Sequence, residues 1–197
     1  MKLKPLSDQV IVITGASSGI GLVTARTAAA AGAKVLMVAR SEDVLRGLVA
    51  EMQADGQTVE AKAADVGDAA GVQAAADYAV ATWGRIDTWV NDAGSAIFGK
   101  VLDTPLDEQE RLFRTNYFGV VNGCVVAVPH LREQDGALIA VDSISAGMPN
   151  SLMSAYAASR HAVKDYVDTL RGELMQEAAP IPVTLIQPSG IDTPIAE

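Results

Sequence analysis

Cysteine is nearly missing: Cys124 is the only one in 197 residues. No internal disulfide can form, which fits a reducing compartment. Cys124 lies in "VVNGCVVAV", where a free thiol behaves as a small buried hydrophobe. Histidine is almost as scarce. His130 and His161 fall in different helical segments with no ligand cluster around either, so no metal site is expected. Basic residues number 15 against 24 acidic ones, for a formal net charge of −9. That deficit argues against nucleic acid and anionic membrane surfaces as partners, since both recruit basic patches. No apolar run approaches the ~20 residues that span a bilayer. The opening "MKLKPLSDQ" runs almost directly into a strand-like segment, so no secretory leader is expected. A cytoplasmic protein is the expectation.

What is present is a globular composition, 49% hydrophobic and 20% charged. The length suits one domain with a real core, residues 1–197. Short β-branched runs alternate with longer Ala-rich segments. The expected strands are "VIVIT" (10–14), "KVLMVA" (34–39), "TVEAKAADV" with its exit (58–66), "IDTWVN" (86–91), "GALIAVDS" (136–143) and "PVTLIQP" (182–188). The expected helices cover 19–32, 41–56 with Ser41 as N-cap, 69–84, 105–131 as one long helix, and 154–178. Continuous apolar strands alternating with helices predict βαβ units, a parallel sheet buried on both faces, and a three-layer α/β domain of doubly wound, Rossmann-like type.

Between the first strand and the first helix stands "TGASSGIG", Thr14 to Gly21. Gly15, Gly19 and Gly21 let the backbone turn tightly, and the helix N-terminus offers N–H donors and the positive end of its dipole. Placed there, the segment predicts dinucleotide binding through Gly15, Ser17, Ser18, Gly19, Ile20 and Gly21.

"TGASSGIG", "NDAG" (91–94), Asn116, Ser143 and Tyr156 fall in the order and spacing of the short-chain dehydrogenases/reductases. The chain resembles that family over essentially its whole length. The resemblance implies sheet order 3-2-1-4-5-6 and a nicotinamide cofactor. It also implies a carbonyl or secondary alcohol as the small-molecule substrate, and a homodimer or homotetramer. Family members usually continue with a mobile substrate-covering segment, a further helix and a last strand, and these are expected to be absent here.

The second strand ends on Ala39 followed by Arg40. An acidic residue there would accept bonds from the ribose hydroxyls; an arginine instead pairs with a 2′-phosphate. NADP(H) is therefore expected over NAD(H), the alternative being a solvated surface arginine. The resemblance places Asp65 and Val66 at the adenine, with a loop cap as the other reading of Asp65. It places Asn91, Ala93 and Gly94 beside the adenosine. Asp92 stands where the family has asparagine, and a carboxylate cannot donate as an amide does. After the sixth strand, Pro188, Gly190, Ile191 and Thr193 are expected at the nicotinamide and pyrophosphate, although Ser189 replaces the family's usual glycine.

Hydride chemistry leaves the protein to handle a proton. A phenol ionises near pKa ~10, too high for a base at neutral pH unless a cation stabilises the phenolate. Tyr156 and Arg160 stand four residues apart, on one helix face. The resemblance assigns Tyr156 as acid/base, Ser143 as oxygen positioner and Arg160 as the cation; it has Asn116, a poor helix-interior residue, distort its helix and hold a water in a proton relay. The family has lysine at the position of Arg160, and the swap is not conservative because a planar fork replaces a point charge. Lys164 lies a turn further on and cannot stand in for it. Ser145 is read as a loop residue. A cofactor-binding sensor or scaffold with little activity is the second reading of the chain, and a plain interaction module the third.

Overall fold

The computed structural model describes residues 4–177, 181–193 and 195. It contains six strands: β1 (Val10–Thr14), β2 (Lys34–Ala39), β3 (Val59–Ala63), β4 (Thr88–Asn91), β5 (Ala137–Val141) and β6 (Val183–Ile186). The helices are α1 (Gly19–Ala30), α2 (Glu42–Ala54), α3 (Ala69–Trp83), α4 (Leu106–Phe113), α5 (Gly119–Gln134) and α6 (Ser154–Leu174). All strand pairs are parallel, in the order β3-β2-β1-β4-β5-β6. This is the doubly wound, Rossmann-like order that the family resemblance implies.

Alternation along the central strands explains the layers. Ile11, Ile13, Val35 and Met37 face one side and pack on Ala25, Ala28 and Ala29 of α1 and on Leu45 and Met52 of α2. Val12, Leu36 and Val38 face the other side and share a core with α3, α5 and α6, including Val72, Val120, Leu131 and Val163. Strands with apolar side chains on both faces must be covered on both, and the helices do this. Small alanines on α1 let its backbone approach the sheet. Truncating a fully buried residue such as Leu36 to Ala costs about 2–5 kcal/mol on this kind of site.

Three expectations need correction. Ser41 occupies the N-cap position of α2, but its hydroxyl makes no capping bond. The predicted long helix at 105–131 is not continuous: α4 and α5 are joined by a π-helical turn, Arg114–Phe118, with Asn116 at its centre. The expected helix to Ala178 ends at Leu174, with Ala178 itself outside the described residues, as are Pro194 and Glu197. Other signals hold: Gly84 ends α3 in the left-handed conformation with φ 80°. In "VVNGCVVAV", Cys124 is buried and its thiol is pushed up to about 12 by burial, which fits an inert core thiol. Val125 in the same run points to solvent.

The strands' N-terminal edge is tied together by the buried Asp87. Its carboxylate accepts from Lys4 Nζ (2.5 Å), the Val10 amide (2.8 Å) and Arg85 Nε (2.9 Å). The opposite edge, where β1 and β4 diverge to their following helices, is left open. Open parallel sheets bind ligands at this switch point.

Candidate functional site

A cavity of about 600 Å³ opens beyond the C-terminal ends of β1, β2, β4, β5 and β6, within the size range of small-molecule and cofactor sites. Its floor is the glycine turn. Gly15 has φ 71°, and a Cβ there would lie 2.8 Å from the Ala93 backbone. Only glycine tolerates both the conformation and the approach. Thr14 ties the two loops: its hydroxyl donates to Val90 O (3.3 Å) and accepts from the amides of Asp92 (3.1 Å) and Ala93 (3.3 Å).

Ser18 is the N-cap of α1, yet its hydroxyl makes no capping bond. Ser17, Ser18, Gly19 and Ile20 all line the cavity. A helix N-terminus opening into a cavity is an anion cradle. Arg40 lines the same end, is exposed, and makes no ion pair among the described residues. Asp65 and Val66 follow on this wall. One Asp65 oxygen accepts from the Gly67 amide at 2.9 Å, so the loop-cap reading of Asp65 is realised alongside its place in the lining.

The other half of the cavity holds the residues that the resemblance assigns to the reaction. Ser143, Tyr156 and Arg160 line it together. Ser143 stands two residues beyond β5, capping the short turn that follows; its Oγ accepts from the Ser145 amide at 3.1 Å, so the hydroxyl proton is left to donate. Tyr156, in the second residue pair of α6, is buried against Leu112. Ala93, Gly94, Pro188, Gly190, Ile191 and Thr193 complete the wall between the two halves.

Three predicted cofactor or relay residues do not line it. The Asn91 side chain turns into the core: its Oδ1 accepts from Trp89 Nε1 (2.9 Å) and its Nδ2 donates to Cys124 Sγ (3.6 Å). Gly21 is buried under the turn, where a Cβ would collide with the Gly15 carbonyl and lie 2.6 Å from Asp92 Oδ2. Asn116 is fully buried in the π-turn, behind Thr115. Its Oδ1 accepts from the Ser95 amide (2.9 Å); its Nδ2 donates to Ser95 O (2.9 Å) and Ser159 Oγ (3.1 Å). Ser159 in turn donates to Tyr156 O at 2.7 Å. Asn116 therefore holds the loop after β4 and the first turns of α6 in fixed relation.

Arg160 departs most from expectation. It is buried, and its guanidinium carbon lies 5.1 Å from the centroid of the Tyr156 ring, over the ring rather than at the hydroxyl. Its Nη1 donates to Val141 O at 3.3 Å, and its Nη2 fills the space that a side chain on Gly94 would need. Two carboxyl groups flank it. Burial pushes Asp92 up to about 6, against the opposing effects of Arg160 and a backbone hydrogen bond from Gly21. Burial likewise pushes Asp142 up to about 6, with Arg160 the main opposing influence. Lys164 does not approach; it pairs with Asp168 at 2.7 Å.

Sequence reasoning left several of these groups unmarked. Asp142 read only as the end of a strand, and Thr14, Ser95 and Ser159 act through bonds to backbone that no spacing displays. Ser145 is buried and lines the cavity, and its Oγ accepts from Asn150 Nδ2 at 2.8 Å. Among the described residues no cluster of metal-ligating side chains occurs, and no helix is long and apolar enough to cross a membrane.

A parallel six-stranded sheet with an open, glycine-floored cavity at its switch point defines a doubly wound α/β protein. The family model "short chain dehydrogenase" matches residues 9–197, and the chain belongs to that family. It is 46% identical to the uncharacterized oxidoreductase YxnA of Bacillus subtilis, over all of this chain and 56% of that protein. It is 36% identical to the bovine dehydrogenase/reductase SDR family member 7B, over 94% of this chain and 59% of that one. The chain thus spans somewhat over half the length of these relatives. Among solved structures, a short-chain dehydrogenase/reductase from Burkholderia phymatum in complex with NAD superposes with TM-score 0.94 at 29% identity, over 98% of this chain and 69% of that one. An NADPH-bound short chain oxidoreductase from Pseudomonas aeruginosa PAO1 containing an atypical catalytic center superposes with TM-score 0.86 at 30% identity, over 92% and 71%.

Proposed function

We propose that residues 1–197 form one NAD(P)-binding domain of an NADP(H)-dependent oxidoreductase, acting on a carbonyl/secondary-alcohol pair in the cytoplasm. The observation that carries this reading is the joint placement of Ser143, Tyr156 and Arg160 on one wall of a cavity whose other end is an open helix N-terminus. The cradle fits a dinucleotide. Gly15, Ser17, Ser18, Gly19 and Ile20 hold the pyrophosphate, Asp65 and Val66 hold the adenine, and Thr193 and Ile191 hold the nicotinamide end. Arg40, with no carboxylate partner among the described residues, pairs with a 2′-phosphate and selects NADP(H). Bound, the nicotinamide supplies or accepts the hydride.

The chain's own residues handle the oxygen and the proton. Ser143 donates a hydrogen bond from its hydroxyl to the substrate oxygen and keeps its proton. Tyr156 gives that oxygen a proton in reduction and removes it in oxidation. Arg160 lies over the phenol ring and sets a fixed positive charge beside the reacting oxygen's partner. Asn116 contributes by fixing the relation of Ser95 to α6 rather than by moving a proton itself. The exposed Phe118 at the end of the π-turn and Val125 in α5 suit a contact in a homodimer or homotetramer.

Screening aldehydes, ketones and secondary alcohols with the full-length protein tests this reading, with Tyr156→Phe as control. Cofactor turnover lost in the variant supports it; an equal rate in both proteins removes Tyr156 from the mechanism. A second reading, a weakly active NADP(H)-binding sensor, is favoured by the position of Arg160 over the ring instead of at the hydroxyl. Arg160→Lys separates the two. A large gain in rate indicates a weakened centre, and a loss indicates a functional arginine.

A further inference from the structure

We propose that Asp142 is a positioning residue for Arg160: ionised, it draws the guanidinium into a direct hydrogen bond and fixes it against Tyr156, and protonated, it releases it. The proposal deepens, and rests on, the reading of Tyr156 and Arg160 as the reacting centre.

The geometry is specific. Asp142 Oδ1 and Arg160 Nε lie 4.0 Å apart, with side chains 0% and 3% exposed. Both atoms are buried without a hydrogen-bond partner among the described residues. A buried carboxylate oxygen and a buried guanidinium N–H are each costly to leave unmade. They are about 1 Å too far apart for the charge-assisted bond that would satisfy both. The rest of each side chain is already tethered. Gln187 Nε2 donates to Asp142 Oδ2 at 3.4 Å, which leaves Oδ1 for Arg160. The Val141 carbonyl holds Arg160 Nη1 at 3.3 Å, which leaves Nε turned to Asp142.

The charged groups around the pair decide which member switches. Arg160, His161 and Lys164 all stand on α6, and Lys164 is neutralised by Asp168. Asp92 faces the same guanidinium from the loop after β4. Arginine keeps its charge at every relevant pH, so the switch lies with a carboxyl. Burial raises the Asp142 carboxyl to about 6, into the range where it changes charge near neutrality. As pH rises through that value Asp142 ionises, and the contact closes.

The test is a pH titration of the Arg160 Nε–H resonance by 1H–15N NMR on the full protein, with Asp142→Asn and Asp92→Asn beside it. The resonance is assigned by its disappearance in Arg160→Lys. The expected result is a sigmoidal shift with midpoint at about pH 6 in the wild type, lost in Asp142→Asn and retained in Asp92→Asn. An unmoved resonance from pH 5 to 8, or the same shift in Asp142→Asn, overturns the proposal. So does a shift lost in Asp92→Asn and kept in Asp142→Asn, which makes Asp92 the switch. If Asp142→Asn does not fold, the wild-type 13Cγ resonance of Asp142 serves instead. A midpoint shared with Arg160 Nε–H supports the pairing, and separate midpoints overturn it. None of these spectra needs cofactor or substrate. A titrating pair in a protein that binds no NADPH defeats the functional reading alone, and NADPH binding with an unmoved Nε–H defeats the switch alone.

Discussion

Replacing Asp92 by Asn makes a quantitative probe of the buried charge at the site. Asp92 ionises at about 6 in the folded protein against an ordinary 3.8, chiefly because it is buried. The difference, 6 − 3.8, is about two units, and at ~1.4 kcal/mol per unit the ionised carboxylate costs the fold about 3 kcal/mol at neutral pH. A raised carboxyl contributes stability below its unfolded value and loses it as pH rises through the folded one. By pH 4.5 the wild type has recovered about 2 kcal/mol of this, while the Asn variant has no such term. The amide must satisfy an extra N–H, which shifts the variant by a pH-independent amount of about 1–3 kcal/mol. The change between two pH values is therefore the informative quantity. For a chain of this size, ~2 kcal/mol is about 4–8 °C in Tm. Thermal unfolding followed by circular dichroism should show the variant's Tm gaining by that amount on the wild type between pH 4.5 and 8. An offset identical at both values refutes the reasoning that burial raises Asp92.

Other outcomes follow from the same geometry. Arg40→Ala should weaken NADPH binding by roughly 10- to 100-fold, the range of a charge-assisted contact, and leave NADH unchanged in a fluorescence titration. Tyr156→Phe should abolish turnover while NADPH affinity stays within a few-fold, since the ring and its packing survive. Asn116→Ala should destabilise the fold by about 2–4 kcal/mol in urea unfolding, because the Ser95 amide and carbonyl and the Ser159 hydroxyl lose one partner each. Gly15→Ala should be still more damaging to cofactor affinity than to stability. The strained φ of 71° and the Ala93 backbone force the turn to move where phosphate must lie.

The sheet was legible because its strands carry apolar residues continuously and its helices carry alanine between glycine and polar punctuation. β1 and β2 could not be mistaken for anything but buried parallel strands, and Gly84 announced the end of α3. The cavity's glycine turn was likewise visible from its place between strand and helix, and the trio of Ser143, Tyr156 and Arg160 from the resemblance to the family. Direction was harder to read. Asn91 sits at the expected strand end, yet the alternation of side chains across the sheet aims it at Trp89 and Cys124. The π-turn around Asn116 adds no periodic signal of its own, because a single extra residue per turn is absorbed within an otherwise helical pattern. Asp142 and Asp87 looked like ordinary strand-flanking acids. Their importance comes from burial beside particular cations, a property of the tertiary fold. Where Arg160 would point was also beyond the pattern, since position i+4 fixes a helix face but not which part of the tyrosine the guanidinium meets.

The measurement closest to the central claim is a paired titration of the protein with NADPH and NADH, read by energy transfer from Trp83 and Trp89 to the nicotinamide. The account predicts tight NADPH binding, NADH binding weaker by tenfold or more, and loss of that discrimination in Arg40→Ala. Equal affinity for the two, or binding of neither, would contradict it.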